Sequence, residues 1–415
     1  MALSTAVRRQ IAGTAVSAFG NGLTLPFTLI LLHEVRGIAL PTTGLLLAVP
    51  GVVGLAAVPV AGAFIDRVGP RRVLRGALVL QALASVLLGT ATSVPAAALA
   101  LLLVGLGQGP SFPASSALLS GLVEGNDEQA RAFGLQFTLL NAAIGSAALL
   151  ASLVVDVDRP VTFVVLYLGS AVTSLLGCAL VPRAAARRAA VAGELDPSYR
   201  EVLRDPVFRR VCVLSLLLAL TGYATLDGGL AAFARVVGHV SPSVIALVFA
   251  VNTVVIVAGQ LVMLKVLRGR RRSTALALTG VVWGLSWLTL GSLGLLPSGG
   301  ARIAVALLFG AVFGLGETLF APTLAPLVNA LATDRLRGRY NAAQGAAFSV
   351  AFVVAPAVSG ALIGFGLSAL WIALLVLGCA GTVLQARSLR RWLTDDQDGI
   401  GERDLVDDPT ERMLV

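Results

Sequence analysis

Twelve apolar runs, each about long enough to cross a lipid bilayer, follow one another along the 415 residues and limit the possible folds more than any single motif does. A spanning helix needs roughly 20 mostly apolar residues, because the hydrocarbon layer is about 30 Å thick and each helical residue advances about 1.5 Å. The runs lie near 11–32, 40–64, 73–93, 96–123, 132–155, 161–182, 211–234, 243–264, 275–296, 303–331, 340–364 and 367–386. The expected fold is therefore an all-α integral membrane protein with twelve transmembrane helices. A hydrophobic content of 57%, a charged content of 13% and a mean hydropathy of +0.89 exclude an ordinary soluble globular chain. The first run is too long for a signal-peptide core and lacks a small-residue cleavage site after it, so it is expected to stay as a helix.

The basic residues set the expected orientation. If Arg8 and Arg9 are cytoplasmic, all but four of the 31 basic residues fall on that side, the exceptions being Arg36, Arg159, Arg235 and Arg302. Such an asymmetry follows the positive-inside rule and predicts that both termini are cytoplasmic. It also accounts for the net charge of +9 without a nucleic-acid partner, because these residues are membrane-edge anchors. Lys265 is the single lysine beside 30 arginines, a bias that hints at a GC-rich bacterial genome and so at an inner (plasma) membrane. Cys178, Cys212 and Cys379 lie in apolar runs without metal-ligand spacing and read as small packing residues. No metal site, nucleotide-binding loop or dinucleotide fingerprint is present, so no cofactor is expected.

The long internal polar segment, "RAAARRAAVAGELDPSYREVLRDPVFRR" from Arg183 to Arg210, divides the runs into two sets of six. The expected organisation is a six-helix bundle over 1–182, a cytoplasmic linker over 183–210, a second six-helix bundle over 211–390 and an acidic tail over 391–415. Within the linker, "DPSYREVLRD" can form a short surface helix or remain a solvated tether. From Leu393 onward the tail holds eight acids against two arginines and no apolar period, which predicts disorder.

The two halves resemble one another. "GLGQGPSFP" (105–113) matches "GLGETLFAP" (314–322), with Gln108 where Glu317 falls. "ARAFGLQ" (130–136) matches "GRYNAAQ" (338–344), pairing Arg131 with Arg339 and Gln136 with Gln344. Pro41 aligns with Pro242, which sets Pro26 opposite Asp227, and "GPRRVL" (69–74) corresponds to "GRRRST" (269–274). Four matches in one order point to an internal repeat.

Of 22 acidic residues, two lie inside spans: Asp227 in "GYATLDGG" and Glu317 in "FGLGETLFAP". From Ile303 to Leu331 Glu317 is the only charge. A carboxylate at the centre of a spanning helix costs about 2.5 to 3.5 kcal/mol on insertion scales, so its retention points to use. Asp227 lies about 24 Å along the seventh run and Glu317 about 21 Å along the tenth. Both should face protein or a water-filled cavity. A carboxyl in low dielectric loses part of its preference for the charged form and can then exchange a proton for a cationic substrate. The structural alternatives are a hydrogen bond from Glu317 to Thr318 or to a neighbouring helix, and for Asp227 a cap at a break at Gly228 and Gly229, or neutralisation by Arg235. Pro26, Pro110, Pro113, Pro322 and Pro326 fall in the first, fourth and tenth runs, where each frees a backbone carbonyl and bends the helix.

One loop carries a specific pattern. "GAFIDRVGPRRVL" (62–74) joins the second and third runs and resembles motif A of the major facilitator superfamily in Gly62, Asp66, Arg67, Gly69, Arg71 and Leu74. Arg72 adds a further basic residue, while Pro70 replaces the usual basic one. Glycines permit a tight turn, and Asp66 with the arginines can hold the cytoplasmic ends of the two halves together through charge-assisted bonds. The resemblance extends from residue 8 to about 390. It implies two six-helix bundles around a central cavity lined by the first, fourth, seventh and tenth helices. Asn21, Pro26, Gln108, Tyr223, Thr318 and Gln344 are the cavity-lining candidates beside Asp227 and Glu317. Within the superfamily the chain is most similar to the drug–proton antiporter group. It departs from that group's fourth-helix signature at Gly105, where an arginine is usual, and keeps only Gly145 of the fifth-helix signature.

The expected function is a secondary transporter that moves a small apolar or cationic compound by alternating access with proton-coupled efflux, acting as a monomer. A proton-independent facilitator or uptake carrier is the alternative, and an intramembrane enzyme with paired carboxylates a distant one. With 6% aromatics, a sugar cavity with stacking rings is not expected.

Overall fold

The computed structural model describes residues 3–123, 126–183, 202, 204–297, 299–332 and 336–400. Most of the inter-half linker and the tail beyond Ile400 thus lie outside the described residues, together with the expectations made for them. Among the described residues twelve long helices follow one another, and there is no strand. They are α1 (Thr5–Val35), α2 (Leu40–Val68), α3 (Pro70–Thr90), α4 (Val94–Ser120), α5 (Asn126–Val154) and α6 (Pro160–Leu180), followed in the second half by α7 to α12. Helix α7 has two parts, α7a (Pro206–Thr221) and α7b (Tyr223–Val236); then come α8 (Pro242–Leu267), α9 (Arg272–Leu295), α10 (Gly300–Leu331), α11 (Arg337–Gly364) and α12 (Ser368–Leu389). Eleven are long and apolar enough to cross a membrane, and the described part of α2, Leu40–Ala56, is a shorter apolar helix.

Most helices run beyond the apolar stretches that announced them, because polar residues at the membrane edge cap or extend them. The Ser4 hydroxyl accepts from the Val7 N–H and starts α1 six residues before the first apolar run. The Asp205 carboxylate accepts from the N–H groups of Val207 and Phe208 at the start of α7a. Proline occupies the first turn of α2, α3, α4, α6, α7a and α8, where its missing N–H costs nothing. Large apolar side chains such as Phe112, Leu153 and Val254 stand outward, as expected where hydrocarbon is the solvent.

Packing repeats between the halves. In the first, α1 packs on α5 and α6, α2 on α4, and α3 on α4 and α6. In the second, α7 packs on α11 and α12, α8 on α10, and α9 on α10 and α12, the same pattern six helices later. The halves meet along two seams, α2 with α11 and α5 with α8. Twelve crossings place both ends of the helical region on one face, here the terminal face. Near the opposite, far face the α2–α11 seam is very close. A Cβ on Gly44 would lie 2.5 Å from the Pro356 carbonyl oxygen, and one on Gly360 only 2.7 Å from the Gly44 Cα. Farther along, a Cβ on Gly51 would still meet the Phe352 carbonyl oxygen at 3.1 Å, whereas one on Gly54 or on Gly345 would meet nothing within 4 Å. The seam is tight near the far face.

Two helices are irregular where the halves face each other. In α1, Pro26 sits in a 3-10 turn (Leu25–Phe27) and a π-helical turn follows over Leu31–Val35. In α7 the break falls at Gly222, whose φ of −112° and ψ of −115° end one helix and start the next. This corrects the expectation of a break at Gly228 and Gly229, which lie inside α7b. The freed carbonyls are satisfied locally. Trp287 Nε1 donates to the Thr221 oxygen at 2.7 Å, and the Thr225 hydroxyl to the Leu220 oxygen at 2.5 Å.

Residues 391–400 do not hang free after α12. They fold as turns against the terminal face, with the Asp398 side chain fully buried, in contrast to the disorder expected from Leu393 onward.

Candidate functional site

Glu317 lies midway along α10, 5% exposed. The face of α10 that carries it is built to approach α8. A Cβ on Gly310 would sit 2.6 Å from the Val248 carbonyl oxygen, and one on Gly314 would sit 2.9 Å from that of Asn252. One turn on, Asn252 Nδ2 donates to Glu317 Oε2 at 2.5 Å. Asn252 is itself 7% exposed, so the carboxyl meets this amide within a buried helix–helix contact. The Thr318 hydroxyl bonds instead to the Leu315 carbonyl oxygen at 2.7 Å. The α8 residue after Asn252 faces the other half. Thr253 fills the notch at Gly145 of α5, where an added Cβ would meet Thr253 Cγ2 at 2.5 Å. Helix α8 thus stands between the buried acid and the α5–α8 seam.

An aromatic wall backs this site. Trp283 of α9 donates through Nε1 to the Phe313 carbonyl oxygen at 3.1 Å and stacks on the Phe313 ring at 5.0 Å. Tyr223, just after the α7 break, meets Trp283 and Phe320 edge-on at 6.3 and 5.6 Å, and Phe320 reaches Phe348 of α11 at 6.1 Å. Composition hid this wall, because 6% aromatics is a modest total. Its signal was distribution: all four tryptophans follow residue 282.

Asp227 lies on α7b one turn after Tyr223, and its side chain is outside the described residues. Its neighbour Gly228 faces Leu47 of α2 and Pro356 of α11, so this part of α7b runs beside the seam between the halves. Arg235 is engaged by α1 and by its own loop. Its Nε donates to Glu34 Oε1 at 2.6 Å, its Nη2 to Glu34 Oε2, and its Nη1 to the Val240 carbonyl oxygen at 2.8 Å. This two-pronged pair joins α1 to α7b at the far face. It was absent from the sequence-based site, since neither residue lies in an apolar centre.

On the α4 face equivalent to that of Glu317, the described polar groups are neutral. On α4, Gln108, Ser111 and Ser115 share one face, and Gln108 is exposed whereas its counterpart Glu317 is buried. Ser111 accepts from Gln81 Nε2 at 2.7 Å. Ser115 accepts from Gln10 Nε2 at 3.1 Å and from Gln136 Nε2 at 3.2 Å, and Gln136 also donates to Thr14 at 2.9 Å. Among the other cavity candidates, Asn21, Tyr223 and Gln344 are half-buried. Pro26 and Thr318 are buried in helix packing.

In the α2–α3 loop, Gly69 has φ of +87°, a conformation glycine adopts without strain. Pro70 begins α3, which gives a physical reason for proline where a basic residue is usual. Arg67 and Arg72 are exposed and Arg71 half-buried, while the side chains of Gly62 and Asp66 lie outside the described residues. Among the described residues no group of three potential metal ligands occurs.

The sequence model of the Major Facilitator Superfamily matches residues 11–282. A comparison with curated proteins gave no match. Among solved structures, the nucleoside transporter NupG is similar with a TM-score of 0.74 at 12% identity, covering 94% of this chain and 99% of that one. A D-xylose–proton symporter is similar with a TM-score of 0.74 at 14% identity, covering 95% and 98%. A POT family transporter in complex with 5-aminolevulinic acid has a TM-score of 0.71 at 13% identity, covering 93% and 95%. At these identities the likeness is one of fold.

Proposed function

The chain belongs to the major facilitator superfamily of membrane transporters, and from that premise we propose that it is a secondary transporter that exports a small apolar or cationic compound by alternating access in exchange for protons. The observation that carries this reading is Glu317, a buried carboxyl near the centre of α10 that accepts from the neutral amide of Asn252. An amide can serve both forms, donating through Nδ2 to a carboxylate or accepting through Oδ1 from an acid. Asp227, on the same half, is the second exchanging group in this proposal. The halves are taken as two rigid bundles, 1–182 and 211–390, rocking about the α2–α11 and α5–α8 seams, with both termini cytoplasmic in a bacterial inner membrane and the monomer as the working unit. Asp66 and the arginines of the α2–α3 loop act as the cytoplasmic latch, and among the superfamily's branches the drug–proton antiporters are the nearest in kind.

The second reading, a facilitator or uptake carrier, draws support from the burial of Glu317: a carboxyl closed into a helix contact can be a structural tie and need not exchange protons. The two readings separate in liposomes that hold a pH-sensitive dye, with an imposed proton gradient and a panel of lipophilic cations and neutral compounds. Proton movement on addition of a compound, lost in Glu317→Gln, supports antiport. Equilibration of a labelled solute with no proton movement replaces it by the facilitator.

A further inference from the structure

Asp398 is a fully buried carboxylate in the most acidic stretch of the chain, outside any helix. It is buried because it sits on the start of α9. The first N–H groups of a helix have no partner within it, and α9 receives no side-chain cap from Arg271, the residue before it. Asp398 fills that role from 125 residues away. Its Oδ1 accepts from the Ser273 N–H at 2.7 Å, its Oδ2 from the Ser273 hydroxyl at 2.8 Å and from Arg271 Nη1 at 3.2 Å, and its carbonyl oxygen from the Arg272 N–H at 2.7 Å. Around it, Arg271 Nη2 pairs with Asp395 at 3.0 Å and Arg272 Nη1 donates to the Gln397 carbonyl oxygen at 3.2 Å. Gly399, with φ of +85°, turns the chain directly after the docked carboxylate. Upstream, the Trp392 ring lies 4.0 Å beneath the Arg210 guanidinium of α7a.

The loop that receives this segment is the second-half repeat of the α2–α3 loop. In the first half Asp66 stands three residues before Gly69, within the loop's own motif; three residues before Gly269 stands Val266. We infer that the α8–α9 loop is a docking site for an acidic peptide segment, filled by the chain's own residues 394–400, with Asp398 supplying the carboxylate that this loop lacks. The chemistry of the site is selective. A backbone N–H, a hydroxyl and a guanidinium converge on one group, so an ionised carboxylate satisfies all three, whereas an amide would turn an NH2 toward donors. The positive end of the α9 dipole adds to the preference for negative charge. Once docked, the segment ties the end of α12 to the starts of α7 and α9, so the terminal-face ends of three second-half helices are held by one strap.

The site and its ligand can be tested apart. In a chain shortened after Leu393 and purified in lipid nanodiscs, amide hydrogen exchange at residues 272–275 should speed up by about tenfold or more, with the rest of α9 unchanged. A synthetic peptide of residues 393–400 added to the shortened chain should restore protection, and the same peptide carrying Asp398→Asn should not. Unchanged exchange after shortening, or equal protection by both peptides, overturns the inference. If the shortened chain does not fold, the full-length Asp398→Asn variant serves instead: local loss of protection at 272–275 is expected, and wild-type protection there overturns the inference.

Discussion

Glu34 and Arg235 meet across the two halves of the protein, and the 201 residues between them equal the interval that separates the matched prolines Pro41 and Pro242. They therefore occupy equivalent positions of the internal repeat, one acidic and one basic. A pair that sits on the axis relating the halves ties α1 to α7b at the far face.

Their side chains are 18% and 21% exposed, so the pair is partly desolvated but not buried. Glu34→Gln or Arg235→Gln should shift the balance toward far-face opening by about 1–2 kcal/mol, a population change of roughly five- to thirtyfold. A cysteine at Asn21 should then react faster with an impermeant thiol reagent applied from the far face. The reversed pair, Glu34→Arg with Arg235→Glu, should bring labelling back down. Unaltered labelling in both single variants removes the pair from the closure.

Glu317→Gln should abolish proton movement in liposomes and leave folded protein, because a glutamine can still accept from Asn252. Glu317→Leu removes the acceptor and strands the Asn252 amide, at a cost of about 1–3 kcal/mol in stability. Thermal unfolding in detergent separates the two: the glutamine variant should melt near wild type and the leucine variant clearly below it. Proton movement at the wild-type rate in Glu317→Gln removes this carboxyl from coupling.

At the seam, Gly44→Val should impair cycling and lower stability, because the first added carbon would already meet the Pro356 carbonyl oxygen at 2.5 Å. Gly345→Ala, in open space on the same helix pair, should be silent in the conformation described here. Distances between spin labels at the far ends of α2 and α11 report both. A neutral Gly44→Val would mean that the seam yields more readily than its backbone contacts indicate.

Replacing Asp66 by Asn should slow turnover more than it weakens substrate binding, if the α2–α3 loop is a latch. Binding and turnover measured on the same preparation decide this; a collapse of affinity with unchanged turnover at saturation would count against the latch.

Cysteines at Ser4 and Ser93 should be labelled from opposite sides of sealed vesicles. Same-side labelling breaks the assigned crossing order.

Sequence reading went furthest where the physics is local. A run of about 20 apolar residues must become a helix in lipid whatever surrounds it, so all twelve crossings, the six-plus-six repeat and the anomaly of Glu317 were legible in one dimension. Helix ends were less so, because Ser4, Asp205 and Ser241 extend helices by capping at the membrane edge, where hydropathy no longer discriminates.

What the tertiary structure alone decided are the pairings between distant residues. Asn252 as the partner of Glu317, Glu34 as the partner of Arg235, the tryptophan-backed wall behind α10 and Asp398 on the start of α9 all join side chains separated by tens to hundreds of residues. The same is true of the break at Gly222, which two hydrogen bonds stabilise, one of them from Trp287 of a different helix. Composition and spacing determine which segments leave water; which polar group each buried polar group meets is set by how the helices pack.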